Sequence, residues 1–242
     1  MFSKLHYLSR LYEWFFPRTC ILCHYPSKAA EDLCEPCFLS LPILHESCIQ
    51  CAKNLPHTSL TDLVCGKCQH SPPPFDRTYA LFTYQSPITK LIMELKFHER
   101  LVNAKVLGDL LAKTIQHQWY THQTLPEIIL PIPLHNKRLK KRGFNQALEI
   151  ARPIGKRLHI PIDTQGCLRT KHTEAQAQLA LKKRTHNIKN AFYIRGDYTN
   201  RHVAILDDVT TTGHTISEFS KALKKAGARR IDVWCCAKTL LN

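Results

Sequence analysis

The sequence predicts an α/β protein built on a doubly wound parallel sheet, with a small cysteine-rich domain ahead of it. Three observations carry that expectation. Apolar runs that read as buried strands, such as Ile128-Ile129-Leu130 and Val203-Ala204-Ile205-Leu206, alternate with stretches of helical periodicity. Eight of the eleven cysteines form four Cys-x-x-Cys pairs before residue 70. Three consecutive prolines, Pro72 to Pro74, then separate the two compositions.

Length and charge set the outer bounds. A chain of 242 residues with 44% apolar content can bury one large core and carry a small second domain. Lys and Arg exceed Asp and Glu by 34 to 19, a net charge of +15, which favours an anionic partner such as a nucleotide, nucleic acid or membrane surface. No run of 18 apolar residues is present, so no membrane-spanning helix is expected. Residues 1–18 lack the apolar core and cleavage site of a secretory signal. Leu5, Leu8, Leu11, Tyr12, Phe15 and Phe16 instead mark a short amphipathic helix expected to pack on the chain's own body. A cytoplasmic location is expected.

Residues 19–70 form the cysteine domain. In a chain with no export signal, cysteines serve as metal ligands or reduced thiols rather than disulfides. The pairs Cys20/Cys23, Cys34/Cys37, Cys48/Cys51 and Cys65/Cys68 repeat with an offset of 28 to 31 residues, the spacing of a duplicated zinc ribbon. Each pair of turns supplies four thiolates for one tetrahedral Zn2+. Two structural zincs are therefore expected, with no open coordination position for catalysis. Whether the first pair shares its metal with the second or the third is open from spacing alone; sequential ribbons are the working arrangement. Cys167, Cys235 and Cys236 lie in apolar strands and read as small core residues.

After the linker at 71–76, the second domain spans 77–242. A strand is expected at Tyr79–Tyr84, followed by a helix capped by Ser86-Pro87 that buries Ile88, Leu91, Ile92 and Leu95. A helix from about Leu101 to Gln118 buries Leu107, Leu110, Leu111 and Ile115. Pro131 and Pro133 stop the strand at Ile128–Leu130, and a helix at about Asn145–Leu158 is expected to kink or break at Pro153. Strands near 166–169, 191–194, 203–206 and 231–236 complete a sheet whose ligands belong at the C-terminal strand ends.

The stretch Val203 to Thr215 carries the chemistry. The strand 203–206 leads into Asp207 and Asp208, then into Thr210, Thr211, Thr212, Gly213, His214 and Thr215, with helical periodicity from about Thr212 (Ile216, Phe219, Leu223, Ala226) to a stop at Gly227. Free N–H groups at a turn and a helix N-terminus attract phosphate, and threonine hydroxyls add donors. Carboxylates suit the 2- and 3-hydroxyls of a ribose. The segment fits ribose 5-phosphate as a unit. It resembles the PRPP-binding signature of type I phosphoribosyltransferases, which implies the same roles for the acidic pair and the loop and Mg2+ accompanying PRPP.

Upstream, Lys137, Arg138, Lys140, Lys141 and Arg142 form a basic loop followed by Asn145 and Gln146. The resemblance implies that this loop binds the pyrophosphate of PRPP; a polyanion such as DNA is the alternative. Arg169, Lys171 and Arg184 border a basic segment from 169 to 190 that, by the same resemblance, closes over PRPP and neutralises the leaving pyrophosphate. The order of ribbons, Pro131-Ile132-Pro133-Leu134, Arg142-Gly143-Phe144-Asn145-Gln146 and the acidic loop is similar to the ComF family, over nearly the whole chain. That resemblance implies a phosphoribosyltransferase-like protein of DNA uptake in natural transformation, or of DNA use as a nutrient. It further implies single-stranded DNA and a helicase as partners. The alternative is an active phosphoribosyltransferase of nucleotide salvage. Phe97, Phe144 and Tyr193 are the aromatics able to stack bases.

Overall fold

The computed structural model describes residues 19–27, 32–55, 63–171 and 189–240. The expected helix over residues 5–16, and Arg184 with most of the 169–190 segment, lie outside them. The chain divides into two compact units, Met1–Leu41 and Pro42–Asn242. In the first, a turn at Cys20–Cys23 precedes a short helix α1 (Glu35–Leu39), whose N-cap is Cys34.

The second unit opens with a copy of that arrangement, in which Cys65 caps a short helix α2 (Gly66–His70). Four parallel strands follow: β1 (Arg77–Thr83), β2 (Ile128–Pro131), β5 (His202–Thr210) and β6 (Arg230–Lys238), in the order β1-β6-β5-β2. Their near-continuous burial is what a parallel sheet covered on both faces demands. One face packs Val203, Ile205, Ile231 and Val233 against Ile216, Phe219 and Leu223 of helix α7 (His214–Lys225). The other receives α4 (Leu101–Thr114) and α6 (Gln146–Leu158). The expected α/β class with a parallel sheet is what the chain forms.

Several elements differ in detail. Residues 167–169 (β3) and 192–194 (β4) pair with each other, antiparallel, outside the main sheet. The edge beside β2 is instead met by a single parallel bridge from Ile162 to Ile129. Strand β5 runs on to Thr210, carrying both aspartates inside it, because β6 is long enough to pair with it through Lys238. Helix α7 begins at His214 rather than Thr212. Pro153 does not break α6: its ring lies where a Cβ on Gly108 would approach to 2.3 Å, so the α4 glycine accepts the proline side of α6. Ser86 makes no cap for α3 (Ile88–His98), whose N-cap is Pro87, and the second long helix ends in a π-helical turn over Ile115–Trp119. The basic loop contains a helix, α5 (Asn136–Arg142), capped by the His135 side chain and closed by Gly143 at φ 78°.

The edge strand β1 would expose unpaired backbone groups, and the second ribbon covers them. Leu44 N–H donates to Leu81, Thr83 N–H to Pro42, and Thr78 uses its N–H on Ile49 and its hydroxyl on Gln50. Leu44, Ala52, Ala80 and Cys235 share one small core. The 71–76 segment has neither helix nor strand, and its end is anchored: Phe75 is buried, and Asp76 exchanges hydrogen bonds with Ile231 and accepts one from Lys224.

Candidate functional site

Each half of the cysteine duplication builds one centre. Cys20, Cys23, Cys34 and Cys37 form one, and Cys48, Cys51, Cys65 and Cys68 the other, with ligand atoms within 4.8 Å of one another. The pairing is sequential. The backbone repeats as closely as the spacing: His24 N–H donates to Cys20 and Ala52 N–H to Cys48, both at 2.8 Å, with His24 and Ala52 each at positive φ. Ile21 N–H reaches Asp32, and Ile49 N–H reaches Leu63, both at 3.0 Å. A tetrahedral Zn2+ with bonds of about 2.3 Å holds sulfurs roughly 3.8 Å apart. Cys23 and Cys34 sulfurs lie 3.6 Å apart, and those of Cys51 and Cys65 3.7 Å apart, so the thiol cages fit zinc. Burial would raise both Cys20 and Cys65, yet N–H and thiol donors bring them down, to about 6 and about 7. One sulfur in each cage is thus inclined to the thiolate form that a metal requires.

The second cluster lies at the C-terminal ends of β5 and β6. Asp207 and Asp208 turn their carboxylates back on the chain, Asp207 accepting from the Asp208 N–H at 2.9 Å and Asp208 from the Val209 N–H at 2.8 Å. Lys96, near the end of α3, places its ammonium 2.5 Å from Asp208 Oδ2. Burial, then the Asp208 carboxylate beside it, push the Asp207 carboxyl up to about 8 against the pull of Lys96.

Cations gather around this pair. Arg138 and Arg142, one turn apart on α5, are half-buried, whereas Lys137, Lys140 and Lys141 point to solvent. Arg142 donates to the buried Gln146 at 2.6 Å, which holds its side chain. Burial and the nearby Arg138 lower the pKa of both Arg142 and Arg169, while Asp208 and Asp207 respectively raise them. One ammonium and two guanidiniums therefore lie in the field of the two carboxylates, with Arg138 beside both guanidiniums. Asn145 is occupied structurally, capping α6 and donating to Ile132. Lys171 is also placed elsewhere: its ammonium donates to the Lys189 carbonyl.

The loop Thr210–Thr215 completes the cluster. Gly213 sits at φ 75°, a conformation that glycine takes without strain, and turns the chain into α7. Among the described residues, nothing accepts a hydrogen bond from the N–H groups of Thr211, Thr212, Gly213 or His214. Beneath the loop, the buried Lys238 at the end of β6 donates its ammonium to the Thr211 carbonyl. Burial lowers the Lys238 pKa, and the nearby thiols of Cys235 and Cys51 offset part of that. Burial also lowers His214, with Lys67 of the second ribbon adding to the effect.

Lys96, Lys238 and Lys67 were not visible as site residues in the sequence. Lys96 and Lys67 are ordinary cations on short polar stretches. Lys238 had a usable signal, since a lysine ends the otherwise buried run Val233 to Ala237 on the strand beside the acidic pair.

The molecule is thus a double zinc ribbon joined to a parallel α/β domain. Residues 11–69 match the family model described as a double zinc ribbon domain. The chain is 34% identical to DNA utilization protein YhgH of Escherichia coli (strain K12) over 226 residues, 93% of this chain and 98% of that one. It is equally identical to competence protein F of Haemophilus influenzae over 232 residues, with the same coverage. The chain belongs to the ComF family. Solved structures it resembles include the glutamine PRPP amidotransferase of B. subtilis (TM-score 0.38, 17% identity, 59% of this chain and 30% of that) and the purine phosphoribosyltransferase of Pyrococcus horikoshii (TM-score 0.32, 18% identity, 56% and 79%). No helix among the described residues is long and apolar enough to cross a membrane.

Proposed function

We propose that the chain binds PRPP with Mg2+ at the C-terminal ends of β5 and β6, and single-stranded DNA along the outer face of α5, in the service of DNA uptake or DNA utilisation. One observation supports the reading: Lys96 pairs with Asp208, Arg142 and Arg169 lie in the field of Asp208 and Asp207, and the adjoining loop has N–H groups with no acceptor among the described residues. Packing like charges together is unfavourable unless a polyanion joins them. The loop would take the 5-phosphate, the two aspartates the ribose hydroxyls, and the guanidiniums the pyrophosphate, whose charge Mg2+ would share. Lys137, Lys140 and Lys141, turned outward, suit the phosphates of a strand. The names of the relatives, DNA utilization protein and competence protein, support the DNA component. A reducing cytoplasm is the compartment in which the eleven thiols, eight of them on zinc, are at home.

Titration calorimetry of Mg-PRPP, and anisotropy of a labelled oligonucleotide, against wild type and Asp207→Ala/Asp208→Ala test both components. PRPP binding that survives the double substitution rules out the ribose role. Oligonucleotide affinity that does not fall with added salt rules out the phosphate contacts of α5. Pyrophosphate release during a screen of nucleobases would extend the reading to a transferase. Metal analysis is expected to return two zincs per chain, and one for Cys48→Ser.

A further inference from the structure

Phe97 projects from the last turn of α3 with 62% of its surface exposed, a costly position for a phenyl ring on a helix whose Ile88, Leu91, Ile92 and Leu95 are buried. Its neighbour in sequence, Lys96, holds Asp208. The Arg142 guanidinium lies over the ring, 5.6 Å from its centroid, and that same guanidinium lies in the field of Asp208. The ring therefore lies against the basic helix α5, one residue along α3 from the lysine that holds Asp208. Leu101 and Val102, at the start of α4, add exposed apolar surface next along the chain. Among the described residues, Lys137, Lys140 and Lys141 make no ion pair, so their charge is available to an anionic partner.

An exposed aromatic face beside cations is what a nucleobase followed by its phosphates requires. Every base has a π-face, guanidinium planes stack on rings and bases alike, and lysines track the backbone. We propose that Phe97, backed by Arg142, is a stacking platform for a base of single-stranded DNA whose phosphates run along α5. This rests on the DNA component of the reading above and names the residue that senses bases rather than charge.

The test compares an oligothymidylate with an abasic strand of equal length, by anisotropy, on wild type, Phe97→Ala and Phe97→Trp, with Mg-PRPP and free thymine titrated in parallel. Loss of one stacked base weakens oligothymidylate binding by about tenfold. Phe97→Ala is expected to show that loss, with abasic-strand and Mg-PRPP affinity and the salt slope unchanged, and Phe97→Trp is expected to restore it. Saturable thymine binding lost in Phe97→Ala, without any change on the oligonucleotide, would make the platform a free-base site and overturn the proposal. So would equal affinities of wild type and Phe97→Ala for both strands, or a shift in oligomeric state on size exclusion. If wild type binds neither strand, the DNA component fails and takes this inference with it; if wild type binds and only Phe97→Ala is silent, that component stands alone.

Discussion

At the N-terminal ends of β5 and β6, Asp232 is fully buried and fully occupied: it accepts from the Tyr120 hydroxyl at 2.6 Å, the His202 ring at 2.9 Å and Arg230 Nε at 3.0 Å. Tyr120 in turn accepts from Trp234 at 3.0 Å, and Arg230 donates to Gln123 at 2.8 Å. Burial would favour the neutral acid, but these donors hold Asp232 below the usual carboxylate range. At the opposite ends of the same two strands, Asp207 is pushed up, Asp208 holds one ammonium, and each carboxylate has a guanidinium in its field. The residue types are alike. One end is a closed network that serves the fold, and the other gathers acids and cations beside the Thr210–Thr215 loop.

Substitutions at the two ends should therefore separate stability from binding. Asp232→Ala strands His202 and Arg230 around a hole and should cost about 3–5 kcal/mol in urea denaturation, with PRPP affinity of the folded fraction unchanged. Unchanged stability would erase the contrast. Asp207→Asn/Asp208→Asn should do the reverse. Losing the Asp208 carboxylate, a charged acceptor worth about 1.5–3 kcal/mol, should weaken PRPP by roughly tenfold or more in calorimetry, with no loss of stability at neutral pH. Lys238→Met removes the donor under Thr211 while keeping the apolar stem, and about a tenfold loss of PRPP affinity is expected from one charge-assisted bond. An unaltered affinity would show that the loop holds its shape without Lys238.

A pH slope completes the comparison. Folded Asp207 keeps its proton up to about 8, whereas the unfolded carboxyl releases it near 3.8. Between those values the folded state binds the extra proton, so ligand-free stability should decline as pH rises through that window. Chemical denaturation across the window should show a flatter profile for Asp207→Asn than for wild type; parallel profiles would place the buried proton elsewhere.

Much of this was legible from local pattern. The four Cys-x-x-Cys pairs, the apolar strands and the acidic pair followed by Thr-Thr-Thr-Gly depend on neighbours in sequence, although which Cys pairs share a centre was settled only by the fold. The two-stranded pairing of 167–169 with 192–194 was not legible, because three-residue strands look the same whether they join a sheet or each other. Pro153 misled in a related way: a break is its intrinsic tendency, and Gly108 on a distant helix makes room for it. The helix within the basic stretch was hidden by repulsion among its five cations, which isolated-helix reasoning penalises.

The sequence by itself determined the class of fold, the four Cys-x-x-Cys pairs and the run of acids, threonines and glycine at the end of β5, since each is written in contiguous residues or fixed spacings. Only the tertiary structure decided which cations face the acidic pair. It brought Lys96 from α3, Arg142 from α5 and Arg169 from β3 to the acidic pair, set Arg138 beside the two guanidiniums, and left Lys137, Lys140 and Lys141 exposed. It also set the second ribbon against the edge of β1 while leaving Met1–Leu41 a compact unit of its own. The physical reason is range. Coordination and turn geometry act across a few residues, whereas charge pairing and edge protection depend on which distant segments the core draws together.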